Sequence, residues 1–139
     1  VERSSSEIHK QLKSKYSSKP EFFAEKMLLL DGLVDETLSA LGTRNWDRFG
    51  EIIDAGWSIK REFSESISSS EIDTHYKLLK DCGARGCRLL GAGAGGYFVV
   101  FVDLADQPRF LEDASKLAVN IRRVGVDDYG ARSLDYQNE

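Results

Sequence analysis

No apolar run in this sequence approaches the roughly 18 residues needed to cross a bilayer, and no basic-then-apolar leader pattern opens it. A membrane role is not expected, and the cytoplasm is the expected compartment. Positive charge is scarce as well: 19 Lys and Arg against 23 Asp and Glu leave a net charge of −4. That balance argues against nonspecific nucleic-acid binding, which needs a basic surface. It does not exclude a small phosphorylated ligand, for which one or two cations suffice. There are only two cysteines, Cys82 and Cys87, on either side of a glycine-containing turn. With no second pair and no histidine nearby a zinc site is not expected, and they read as buried free thiols in a reducing compartment. The two histidines, His9 and His75, fall on polar helix surfaces without a complementary ligand set. What is plentiful is the mixture of a soluble domain, 41% hydrophobic and 30% charged over 139 residues, enough for one domain with a core of its own.

The first part of the chain predicts helices. A polar opening stretch carries a helix around Glu7–Lys15. Pro20 sits where the first turn of a helix tolerates it. Phe23, Met27, Leu30, Val34, Leu38 and Leu41 then recur every three to four residues, which predicts a core-facing stripe ending at Gly42. Asn45 is a suitable N-cap for a second long helix reaching about Phe63. A further helix starts in the serine run, with Ser70 and Asp73 or Ser68 and Glu71 at capping-box spacing, and stops at Gly83. Beyond Gly83 the period changes. Cys87–Leu90 reads as a short strand, and Tyr97–Val102 as a strand covered on both faces. Asp106 can cap a helix running to about Val119, with Phe110, Ala114, Leu117 and Ala118 inward. Ile121–Val126 and Ala131–Tyr136 read as strands around an acidic turn, Asp127 to Gly130. The expected class is α+β, helices packed on a small, mostly antiparallel sheet.

Between the two central strands lies Gly91-Ala92-Gly93-Ala94-Gly95-Gly96. It matches the letters of the dinucleotide fingerprint, but that motif must open a helix, and here a strand follows. A Walker loop needs Gly-Lys-Ser/Thr, and Gly95-Gly96-Tyr97 supplies neither lysine nor hydroxyl. What remains is a strand–loop–strand hairpin whose small residues serve either a tight turn or the close approach of a ligand or another backbone.

The stretch Gly83-Ala84-Arg85-Gly86-Cys87-Arg88-Leu89-Leu90-Gly91-Ala92-Gly93-Ala94-Gly95-Gly96-Tyr97-Phe98 resembles the third conserved motif of the GHMP kinases, close to G-A-x-G-x-K-L-x-G-A-G-x-G-G. Arg88 stands where lysine is usual and Ala94 where glycine is common. Upstream, Asp54-Ala55-Gly56-Trp57-Ser58-Ile59-Lys60, Ser66-Ile67-Ser68 and Ile72-Asp73 are similar to the heptose 7-phosphate kinase branch, with its W-x-x-K helix; the fucose kinase domain is a related branch. The resemblance implies the C-terminal domain of such a kinase across residues 1–139, with a ferredoxin-like arrangement. It also implies transfer of the γ-phosphate of ATP, with Mg²⁺, to a sugar or sugar phosphate in a cleft between two domains. The family's nucleotide motif P-x-x-x-G-L-G-S-S and its catalytic aspartate belong to an N-terminal domain that these residues do not contain. The expectation is therefore a chain inactive without that partner, a fragment or a separately encoded half, that binds neither ATP nor Mg²⁺ by itself.

By the same resemblance, residues 91–96 would line the phosphate side of the cleft, and Lys60, Trp57, Arg88 and Arg3 would lie on its substrate or phosphate side. The residues themselves leave alternatives. On a helical wheel Lys60 falls within about 20° of Phe49 and near Ile53, Gly56 and Phe63. That fits either a snorkelling lysine or a cation turned into the cleft. Trp57 suits core or sugar platform; Arg88 suits an ion pair or an anion contact; Asp54 suits a pair with Arg61 or solvent. Two functions from different classes remain: part of a sugar kinase, or a noncatalytic ligand-binding or assembly module derived from one. Fucose or galactose would be other acceptors. An orphaned interdomain face would also favour self-association into a homo-oligomer.

Overall fold

The computed structural model describes residues 5–117 and 119–129. Four helices come first: α1 (Ser5–Ser18), α2 (Pro20–Gly42), α3 (Trp46–Glu62) and α4 (Ser70–Asp81). Strands β1 (Gly86–Leu89) and β2 (Phe98–Phe101) then form an antiparallel pair, and α5 (Gln107–Ser115) follows. The class is α+β, with helices on a small antiparallel sheet that has two strands among the described residues.

Local chemistry accounts for most boundaries. Pro20 opens α2, where its missing N–H costs nothing. The Asn45 side chain accepts from the Arg48 N–H at 3.0 Å and starts α3. In the serine run, Ser69 is the N-cap of α4, accepting from the Ile72 N–H at 3.3 Å. Neither capping box forms, because Ser68 Oγ instead donates to Asp73 at 2.6 Å. Gly83 adopts φ +103 after α4, and α2 is followed by a left-handed Arg44 at φ 54.

Three expectations need correction. The α2 stripe is not the core face: Met27, Val34, Leu38 and Leu41 are exposed. The covered side of α2 carries Phe22, Phe23, Lys26, Leu30, Leu33, Thr37 and Ala40. The two arcs share only Phe23 and Leu30, so the predicted stripe lies on the flank of the helix. The Ile121–Val126 stretch forms no strand, although Ile121 packs against the core from an irregular segment. Helix α5 ends at Ser115 rather than near Val119, and Asp106 sits at its N-cap position without a side-chain capping bond. The predicted strand Ala131–Tyr136, together with Arg3, Ala118 and Gly130, lies outside the described residues.

Two clusters make the core. One gathers Ile8, Phe23, Trp57, Phe63, Ile67, Ile72 and Leu89; the other gathers Leu79, Ala84, Cys87, Phe110 and Ala114. Tyr76 and Phe98 pack against both. The first cluster includes Phe23 against Phe63, with ring centroids 5.0 Å apart. Around its rim, Lys26 pairs with Glu62 at 2.7 Å, and Lys15 donates to the Glu62 carbonyl at 2.8 Å, which ties α1, α2 and α3 together. Among the described residues, no helix is long and apolar enough to cross a membrane.

Candidate functional site

The hairpin between β1 and β2 carries the glycine-rich loop. Its ladder continues one step past the strands, Leu90 N–H donating to the Tyr97 carbonyl at 2.8 Å, which leaves residues 91–96 as the loop. Five of those six residues have positive φ. Ala94 is among them at φ 62, a conformation that costs an L-residue with a Cβ roughly 1–2 kcal/mol. The loop is docked on its own chain. Ala94 N–H donates to the Ile67 carbonyl at 2.9 Å, and a Cβ on Gly93 would stand 2.8 Å from the Ile67 Cα. The glycine at 93 is thus required by the 64–69 turn beneath it. At Gly93 the small residue serves a close intramolecular approach, whereas a Cβ at Gly91 or Gly95 would meet nothing within 4 Å.

One cation, Lys60, meets this loop, and a second, Arg88, lies close enough to Lys60 to act on its charge. Lys60, in the last turn of α3, donates through Nζ to the Gly91 carbonyl. Burial, and the charge of Arg88 after it, pull the Lys60 ammonium below its ordinary range. Arg88 leaves β1 and passes over Gly56, one turn before Lys60 on α3. Its Nη1 lies 3.7 Å from where a Gly56 Cβ would stand, beside Leu33 of α2. The Arg88 Nε is buried with no hydrogen-bond partner among the described residues. Trp57 is wholly buried, its ring edge-on to Phe98 at 6.5 Å, so the indole is core and offers no platform to a sugar. Of the residues expected on the substrate or phosphate side, Lys60 reaches the loop, Arg88 lies beside Gly56 near Lys60, Trp57 belongs to the core cluster against which Ala92 and Ala94 pack, and Arg3 is outside the described residues.

Asp54 is not paired with Arg61, which bonds Asp73 at 3.0 Å. It accepts from Lys80 Nζ at 2.6 Å and from the Cys87 N–H at 2.9 Å, and Lys80 also donates to the Arg85 carbonyl at 2.6 Å. This network ties α3 and α4 to β1 and fixes the strand from which Arg88 and the loop project. Gly86 of the conserved motif and Gly50 of α3 do the same by contact. A Cβ on Gly86 would stand 2.9 Å from the Gly50 Cα, and one on Gly50 would stand 2.9 Å from Arg85 backbone. A glycine inside an otherwise well-formed helix, at Gly50, was the available signal. Among the described residues there is no group of three or more His, Cys, Asp or Glu that could hold a metal ion.

The family model for the C-terminal domain of GHMP kinases matches residues 37–120, which contain α3, α4, the hairpin and α5. The chain belongs to that family. A D-glycero-alpha-D-manno-heptose 7-phosphate kinase from Campylobacter jejuni is 29% identical over 103 residues, covering 74% of this chain and 30% of the relative. The crystal structure of an L. major mevalonate kinase in complex with R-mevalonate superposes with a TM-score of 0.73 at 17% identity. That match covers 84% of this chain and 35% of the other, and it shows a shared fold. The GHMP kinase domain described here therefore spans about a third of the length of either relative.

Proposed function

We propose that this chain is the C-terminal part of a cytoplasmic, ATP-dependent kinase acting on a sugar or sugar phosphate, with a heptose phosphate as the first acceptor to try. The observation that carries the reading is the loop at residues 91–96, held by Ile67 and Lys60, where a Cβ at Gly91 or Gly95 would meet nothing within 4 Å. Such a loop lets phosphate oxygens or a neighbouring backbone come close to peptide N–H groups. Phosphoryl transfer is mostly positioning and charge neutralisation around the phosphates. The loop, Lys60 and the nearby Arg88 can contribute to that, but they include no base. ATP and Mg²⁺ would be held chiefly by an N-terminal kinase domain, and the chain alone would not turn over.

The test is to measure ATP turnover with heptose 7-phosphate, fucose and galactose, once with this chain alone and once with it joined to an N-terminal domain carrying the phosphate-loop motif. Activity only in the joined form, greatest with the heptose phosphate, is the expected result. A folded joined protein that turns over no acceptor would favour a noncatalytic ligand-binding or assembly module instead.

A further inference from the structure

We propose that the exposed flank of α2 is a self-association surface, on which a second copy of this chain lays its own α2 antiparallel about a two-fold axis. The inference goes beyond the kinase reading and does not rest on it.

The first observation is spacing. Ala24, Met27, Asp31, Val34, Leu38 and Leu41 are all exposed, and they alternate by three and four residues along α2. That repeat of about 3.5 is the seam of two packed helices rather than the 3.6 of a face laid on a globular core. Met27, Val34 and Leu38 are each more than half exposed, and a contiguous apolar row of this kind marks an interaction surface. The covered side of α2, with Leu30, Leu33, Thr37 and Ala40, is centred roughly 100° round the helix from the row. A second helix can therefore lie on the row without displacing the core. The second observation is charge. Asp31 is the one charged residue in the row, and Arg44 stands just past the end of α2. Among the described residues neither makes an ion pair. Parallel pairing would set Asp31 against Asp31, which repels. Antiparallel pairing with Val34 of one copy level with Leu38 of the other puts Asp31 level with Leu41. Arg44 of the second copy then stands about 4.5 Å farther along the axis at the helical rise, within reach of its long side chain. The two-fold repeats that contact at the other end, so the surface is complementary to itself, and a polar residue in the seam fixes this register. Asp35 opposes the pairing: it comes nearest its own symmetry mate, on the solvent side of the seam, where water and salt screen the two charges.

Sedimentation velocity over a concentration series should show the 15.6 kDa chain giving way to a species of twice that mass. The same shift should appear when the chain is joined to an N-terminal kinase domain. Leu38→Glu should weaken the pair at least about ten-fold. Asp31→Arg and Arg44→Asp should each weaken it about ten-fold as well, because each sets like charges together at both ends. Mixed in equal amounts, those two variants should regain the parent's affinity, since every altered end then meets an opposite charge. Asp35→Asn should tighten the pair. All four positions are exposed, arginine is a good helix former at position 31, and aspartate tolerates the left-handed backbone at position 44, φ 54. Far-UV circular dichroism matching the parent confirms that each variant is folded. The proposal is overturned if the chain stays monomeric at every concentration, if folded Leu38→Glu pairs as well as the parent, or if the mixture is no stronger than its components. A joined protein that is monomeric while the chain alone pairs would also overturn it, by giving the flank to the rest of the kinase. Turnover enters none of these readouts, so failure here leaves the acceptor experiment untouched.

Discussion

At the scale of single residues, Cys87 carries the clearest pH signature. Its side chain is wholly buried, and burial, followed by the Asp54 carboxylate, pushes its thiol from an ordinary 9.0 up to about 12, with Lys80 opposing weakly. A raised folded-state value favours the protonated native form. The stabilisation is complete below 9.0 and is lost as pH rises from there toward about 12, because only the unfolded thiol ionises in that window. The parent chain should therefore lose more stability than Cys87→Ala between those limits, measured by urea melts at a series of pH values; parallel curves would contradict it. The comparison must be between variants because burial also raises Tyr76, from an ordinary 10.0. At neutral pH a thiol reagent should label the half-exposed Cys82 and spare Cys87 until the chain unfolds. The sequence made both cysteines legible as free thiols, but it led to the expectation that both are buried, and Cys82 is half-exposed. It could not tell which carboxylate would face Cys87, since Asp54 comes from a helix 33 positions away. Lys60 is a similar case. Its place in an apolar arc was readable, but whether it snorkelled or turned to the loop depended on the path of a hairpin 31 residues downstream.

Individual elements follow their local signals more closely than they follow one another. Pro20, Asn45, the serine run and Gly83 mark helix ends in the sequence because caps and prolines act within one turn. The facing of α2 was misread for a physical reason. Periodicity finds the most apolar stripe, whereas packing covers the side that carries Leu33, Thr37 and Ala40, and Lys26 lends its stem. The join between α3 and β1 is the least tolerant element contact. Gly86→Ala would drive a methyl into the Gly50 backbone, which cannot withdraw as a flexible side chain could. The expected loss is about 3 kcal/mol, at the upper end of overpacking effects. Gly32→Ala in α2 meets nothing within 4 Å, and should raise stability by about 0.8–1 kcal/mol, the helix-propensity difference. Chemical denaturation of the two variants against the parent checks both signs, and equal midpoints would refute the contact argument.

For the molecule as a whole, the question is whether its two hydrophobic clusters are one cooperative unit. The α+β class was legible from the change of period after Gly83, and so was the hairpin. The division of the core was not, because it arises from Tyr76 and Phe98, which were read as one helix's apolar side and one strand's run. Each touches both clusters, and the Asp54–Lys80–Cys87 network crosses the same seam. Bridging of this kind makes independent opening of either half expensive, since a half-buried ion pair and two aromatic contacts would be lost together. Phe110→Ala removes a ring from the second cluster alone and should cost about 3–5 kcal/mol. If the clusters are coupled, amide exchange in α2 and α3 should accelerate by the same factor as in α4 and α5, although no residue of α2 or α3 belongs to the buried set around Phe110. Faster exchange confined to α4, α5 and β1 would mean that the bridge yields first, with the loop-bearing hairpin resting on a separable half.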